Sequence, residues 1–273
     1  MKKAFAVLVV GSVFLLAGPA RTGDKDSRWK KFLPGEAYKE LVDREVKILQ
    51  ESLKGTPEEK VLNRAKLAAA MIAALSLSAD KEGKAAAVEQ AALKLAKLLH
   101  EKGKIDQARK LAEAFSTLMV DPSAKLEVVN MSKVFGGNAE EMMNHLRTRS
   151  KGGDGIHEAL QTNIRLKGGL NGIEEKIRSL AMKKMIDAAM NKSAAEMALL
   201  GYRTAVFAEV THDFAPANKA GKKDPIFWRE VSLEMRGAAL EMAQASKKKD
   251  AAAVFDASNR LSSSCNKCHS VFK

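Results

Sequence analysis

The only two cysteines of the chain stand three positions apart, in Cys265-Asn266-Lys267-Cys268-His269. On a helix, residues three and four positions apart lie on one face, so both thiols and the imidazole turn toward a single object. Thiols add to vinyl groups to give thioethers, and imidazole is a common ligand for iron. A flat macrocycle bearing vinyl groups and a central iron satisfies all three groups at once, and CxxCH is the pattern of c-type haem attachment. The spacing therefore predicts one covalent haem c, held by Cys265 and Cys268, with His269 as an axial iron ligand. Three rivals use the same residues. A disulfide would close a very short loop and add little stability. A redox CxxC belongs beside a strand in a βαβ unit, and no such pattern is visible. Zinc needs a fourth ligand, and the other histidines are distant in sequence.

Helices must present that face, and the composition supplies them. Aromatic residues are 5% of the 273, and Pro occurs 6 times, while Ala, Lys, Leu, Glu and Met dominate. These residues lose little side-chain freedom in a helix, so the fold class is all-α. An apolar content of 46% in short periodic runs excludes wholesale disorder. Four amphipathic segments come first: Gly35 to Leu53, a second opened by Thr56-Pro57-Glu58-Glu59, Lys84 to Lys102, and Asp106 to Met119. Thr56 is the expected cap of the second, with Pro57 in its first turn and Glu59 completing a capping box. Four more follow: Gly169 to Met190, Ser193 to His212, a third opened by the Asp224-Pro225 cap and running to Ser246, and a last from Asp250.

The two sets resemble each other. Val42–Leu49 aligns with Ile173–Leu180, Ala91–Ala96 with Ala238–Ala243, and Lys104-Ile105-Asp106 with Lys249-Asp250. The expectation is two antiparallel four-helix bundles in tandem, a haemless one at 21–122 and a haem-binding one at 169–273. Residues 123–168 connect them through Gly136-Gly137 and Gly152-Gly153, with one or two short helices between.

Residues 1–20 read as a signal peptide. Lys2 and Lys3 form a positive start, Ala4 to Leu16 an apolar core, and Gly18-Pro19-Ala20 a small-residue cleavage site. A retained anchor is the alternative, although the run is short against the roughly 20 residues a span needs. No segment beyond it is expected to pass as a span, so the mature chain reads as periplasmic or otherwise exported. Haem c is attached in that compartment, which agrees with the motif. The net charge of +13 is spread along the chain, with no nucleic-acid motif beside it; it reads as solvated helix faces.

The motif's place, closing the last helix of a four-helix set before a short aromatic and basic tail, resembles the class II c-type cytochromes, the cytochrome c′ group. Asp224-Pro225-Ile226-Phe227-Trp228 is similar to that family's entry to helix three. The resemblance covers about 169 to 273. It implies that Trp228 packs near the porphyrin, although an ordinary core aromatic is the simpler reading of the residue alone. It also implies that the far side of the iron faces the start of the bundle's first helix, where methionine gives a six-coordinate electron carrier and an apolar residue leaves iron open to small gases. The matching stretch, Leu166 to Ile177, has no Met, so Leu170 or Ile173 is the expected distal contact. Gly168, Gly169 and Gly172 would let backbone approach the ring. Met182 and Met185 read as core, and His157 is a rival ligand. Arg165, Lys167 and Arg178 are candidates to pair with haem propionates, against a reading as plain surface charge.

The expected function is an exported cytochrome for electron transfer or NO and CO binding, not an enzyme, with a redox partner protein or a small gas as partner and a homodimer as one assembly. The alternatives are a haem peroxidase or gas-processing enzyme, and a partner-binding module with a structural haem.

Overall fold

The computed structural model describes residues 29–80, 82–115, 125–137, 139–143, 146, 172–185 and 187–272, without the side chains at 82–84, 141 and 272. Its elements are α1 (Gly35–Ser52), α2 (Glu59–Ser78), α3 (Glu82–His100), α4 (Ile105–Ala114), α5 (Met131–Val134), α6 (Ala139–Met143), α7 (Ile173–Met182), α8 (Asp187–His212), α9 (Pro225–Lys247) and α10 (Ala251–Phe272). Among the described residues β pairing is confined to two isolated bridges, Leu33 with Ala79 and Ala220 with Lys223. The chain is all-helical, as its composition predicts.

In α1 the residues Ala37, Leu41, Val42 and Leu49 recur at helical spacing and are buried. They face α2 and α4, and α2 in turn packs on α3 and α3 on α4. Residues 67–78 of α2 are buried without a break. By length and composition α2 also meets the measure of a membrane span, with a mean hydropathy of 1.3, which corrects the expectation that no segment past residue 20 would. Its alanines explain this: a helix surrounded by α1 and α3 must be small and apolar all round, and 72% of that window is buried inside the protein.

The capping box expected at Thr56 does not form. Helix α2 begins at Glu59, with Glu58 extended ahead of it and no side-chain cap. Tertiary bonds override the local signal here: Arg109 of α4 donates to the carbonyls of Leu53 and Gly55 at 2.7 and 2.6 Å, tying the loop to α4. Helix α3 ends at His100, and Gly103 takes φ of +77° just beyond it. Helix α4 is described to Ala114; the expected remainder to Met119 lies outside the described residues.

The expected helix from Gly169 to Met190 is broken. Helix α7 ends at Met182 and α8 starts at Asp187, earlier than Ser193. Positions 182 and 185 would share a face on one continuous helix, yet Met182 is 85% exposed and Met185 is buried at 9%. The break turns Met185 into the core and leaves Met182 outside. Further on, the sequence signals hold. Asp224 caps α9 by accepting from Ile226 N at 2.8 Å, with Pro225 in the first turn. Asp250 Oδ1 accepts from the amides of Ala252 and Ala253, both at 3.0 Å, and opens α10.

Helix α9 lies between α8 and α10, and α10 also packs on α7. The α8–α9 contact is closest at Gly201, where a Cβ would meet Ala239 O at 2.7 Å and Ala243 N at 2.8 Å. Glu234 pairs with Lys267 at 2.7 Å and Glu241 with Arg260, which sets α9 and α10 antiparallel in fixed register. Helices α1 and α2 also touch α8, where Arg44 donates to both oxygens of Glu196 at 2.8 Å and Arg203 pairs with the buried Glu45. The connecting segment supplies α5 and α6, in line with the short helices expected there. It is clipped to α3 by Glu127 N donating to Glu89 at 2.9 Å, and to the end of α8 by Met131 N donating to Asp213 at 2.8 Å.

Candidate functional site

The CxxCH residues occupy the last two turns of α10, a helix of 22 residues. The inward stripe of that helix is Ala251, Val254, Ala257, Leu261 and Ser264, all buried. Cys265, Cys268 and His269 continue it toward the helix end, and all three are half-buried. The structure thus brings the two thiols and the imidazole onto one face, as their spacing requires.

Helix α7 flanks that face. Glu174 Oε1 stands 3.9 Å from His269 Nδ1 and accepts from Arg178 Nη2 at 2.7 Å. Burial pushes the Cys265 thiol up to about 12, helped by the nearby Glu174 and Cys268, and burial alone pushes Cys268 up to about 11. Both cysteines are free of disulfide and stay protonated at neutral pH. This bears on the redox reading. Reactive CxxC pairs lower a thiol pKa by sitting at a helix N-terminus, whereas these sit at the C-terminal end, where the helix dipole opposes a thiolate. Among the described residues no three His, Cys, Asp or Glu side chains cluster as a metal site.

The other expected site residues divide. Ile173 is buried at 2% in the first turn of α7, with Ile177 and Leu180 on the same inward face. Arg178 is exposed and engaged with Glu174. Trp228 is buried at 7%, and its indole Nε1 donates to Thr211 O at 2.7 Å; it anchors the start of α9 to the end of α8. Gly172 makes room for backbone of its own chain, since a Cβ there would meet Glu175 and, at 2.9 Å, Leu146 O. The expectation that it spares space for a ring is corrected to that extent. Met182, expected in the core, is instead on the surface. Leu170, Arg165, Lys167, His157, Gly168 and Gly169 lie outside the described residues, as does the expected signal peptide.

Two features escaped the sequence reading. Glu174 behind His269 is one; its signal was the four-residue spacing to Arg178, which marks an ion pair on a helix face. The other is Lys176, only 1% exposed on the inward side of α7 and lowered to about 8 by desolvation. A lysine among apolar positions carries no sequence mark that separates it from a surface lysine.

No family model, curated protein or solved structure matches the chain. The functional reading therefore rests on the residues. Two free thiols and an imidazole share one helix face, with the Glu174 carboxylate 3.9 Å from His269 Nδ1; these are the groups a covalently attached haem would need.

Proposed function

We propose that this chain is an exported c-type cytochrome that carries one haem c on α10 and passes single electrons. The observation that carries the reading is the shared face of Cys265, Cys268 and His269, with Glu174 behind His269 Nδ1 at 3.9 Å. Cys265 and Cys268 would hold the group as thioethers, and His269 would ligate its iron. Bound haem supplies a one-electron iron couple, whose potential the protein tunes by ligation, burial and hydrogen bonding. Glu174 orients the imidazole and raises its basicity, the usual work of a carboxylate behind a ligating histidine. Arg178 holds Glu174 in place. No separate catalytic set is assigned, and the chain is read as a carrier, not an enzyme.

The two helix sets are read as four-helix bundles in tandem, α1–α4 without haem and α7–α10 with it. The internal likeness supports this: Val42–Leu49 and Ile173–Leu180 fall in the first helix of each set, Ala91–Ala96 and Ala238–Ala243 in the third. The second set resembles the class II c-type cytochromes, and the leader is read as sending the mature chain out of the cytoplasm.

Electron transfer is the first reading and binding of small gases the second, and the sixth ligand decides between them. An optical spectrum of full-length protein, matured where haem c is attached, tests this. A low-spin spectrum with a sharp reduced α band is expected. A high-spin, CO-reactive spectrum would instead favour the gas-binding alternative.

A further inference from the structure

Two lysine runs far apart in sequence meet at the end of α10 opposite His269. Helices α8 and α9 are antiparallel: Thr211 meets Trp228, Glu209 meets Arg236, and Gly201 lies against Ala239 and Ala243. The start of α8 therefore stands beside the end of α9, from which α10 sets out, and α7 ends just ahead of α8. This topology gathers Lys183, Lys184 and Lys192 with Lys247, Lys248 and Lys249, all exposed. Asp187, Asp250 and Asp256 are the acids on the same turns, and Asp250 is engaged by the amides of Ala252 and Ala253. Two further observations fall on this cluster. Lys249 takes φ of +58°, where a helix stop ordinarily has glycine, so the chain keeps a cation there against a local backbone preference. A local rule broken in this way is a mark of function. Met182, directly ahead of Lys183, is 85% exposed, the most of any large apolar side chain among the described residues.

We propose that this end docks on an anionic lipid surface, with the lysines against the headgroups and Met182 entering the interface. The inference stands apart from the haem reading, since it uses none of Cys265, Cys268 and His269. Clusters of about four to eight basic residues hold a protein on anionic lipid, each adding about fivefold in affinity. A bare apolar side chain among them lets the contact reach below the headgroups, which charge alone does not. Nucleic acid would call for stacking aromatics, and residues 182–193 and 247–250 contain none. The strained Lys249 fits the same account, because glycine there would relax the turn and remove a charge from the docking face.

The test is co-sedimentation of the secreted protein with vesicles, either neutral phosphatidylcholine or the same lipid with about 30% phosphatidylglycerol. Partition into the anionic vesicles should exceed that into neutral ones about tenfold or more at about 10 mM salt, and most of the excess should vanish at about 200 mM. The variant Lys183→Glu/Lys184→Glu/Lys192→Glu should lower anionic partition about tenfold or more, and Met182→Ser about threefold. Lys249→Gly should lower it about fivefold without lowering the unfolding midpoint, which separates the charge from the fold. A matched reversal at the opposite end of α9, Lys219→Glu/Lys222→Glu/Lys223→Glu, should change it less than about twofold. Equal loss in both triple variants would reduce the effect to net charge and overturn the proposal. So would equal partition into both kinds of vesicle. A short DNA duplex bound more tightly than the vesicles, with the same lysine dependence, would assign the end to nucleic acid and overturn it too.

Discussion

Glu174 Oε1 lies 3.9 Å from His269 Nδ1; on the proposed haem reading, a carboxylate there would make the histidine a stronger donor and stabilise the oxidised metal. Glu174→Gln should raise the reduction potential by about 30 to 60 mV, up to a tenfold change for a one-electron couple; potentiometric titration reads this directly. Two other buried charges govern stability against pH. Burial raises Glu89 to about 7, so the folded state binds its proton more tightly than the unfolded chain. Its contribution is fully present below the unfolded value of 4.5 and is lost as pH rises through 7. Glu89→Gln should flatten that decline and stabilise the protein at pH 8 by about 1 to 3 kcal/mol. Lys176 shifts the other way, so its folding penalty is present below 8 and relieved between 8 and 10.5. Lys176→Met should raise the thermal midpoint at about pH 7, and the gain should vanish by about pH 11. Denaturation series across pH check both. At this scale the thiols and His269 were legible because their types and spacing are rare. Glu89, Glu174 and Lys176 were not, because their environment is made by other helices.

At the scale of elements, local signals decided most starts and stops, and tertiary contacts decided the rest. Asp224-Pro225 and Asp250 behave as caps because Oδ1 of each aspartate turns back onto the amides of its own first turn. The Thr56 box loses to Arg109, and the break after Met182 separates two methionines that helical periodicity would align. The α9–α10 turn holds a testable strain. Asp250 N bonds Ala245 O and Lys249 N bonds Ser246 O, with Lys249 at φ of +58°, a helix stop that usually employs glycine. Lys249→Gly should stabilise the protein by about 1 kcal/mol, measured by chemical denaturation. Gly201→Ala should do the reverse. Its Cβ would press on backbone atoms of α9 that side-chain rotation cannot move, so a loss of about 2 to 3 kcal/mol is expected.

Across the whole molecule, the composition made an all-helical chain legible before any coordinates. The way the sets meet was hidden, since Glu45–Arg203 and Arg44–Glu196 join residues 158 and 152 positions apart and each reads as surface charge in sequence. Through that contact α1 and α2 cover part of α8, and the segment at 125–137 reaches the end of α8, to which Trp228 anchors α9. The most direct measurement of the central claim is the intact mass of the secreted protein, compared with a Cys265→Ser/Cys268→Ser variant. A processed polypeptide about 600 Da heavier than its sequence is expected, with the excess lost in the double variant. A mass equal to the bare polypeptide, with both thiols open to alkylation, would contradict it.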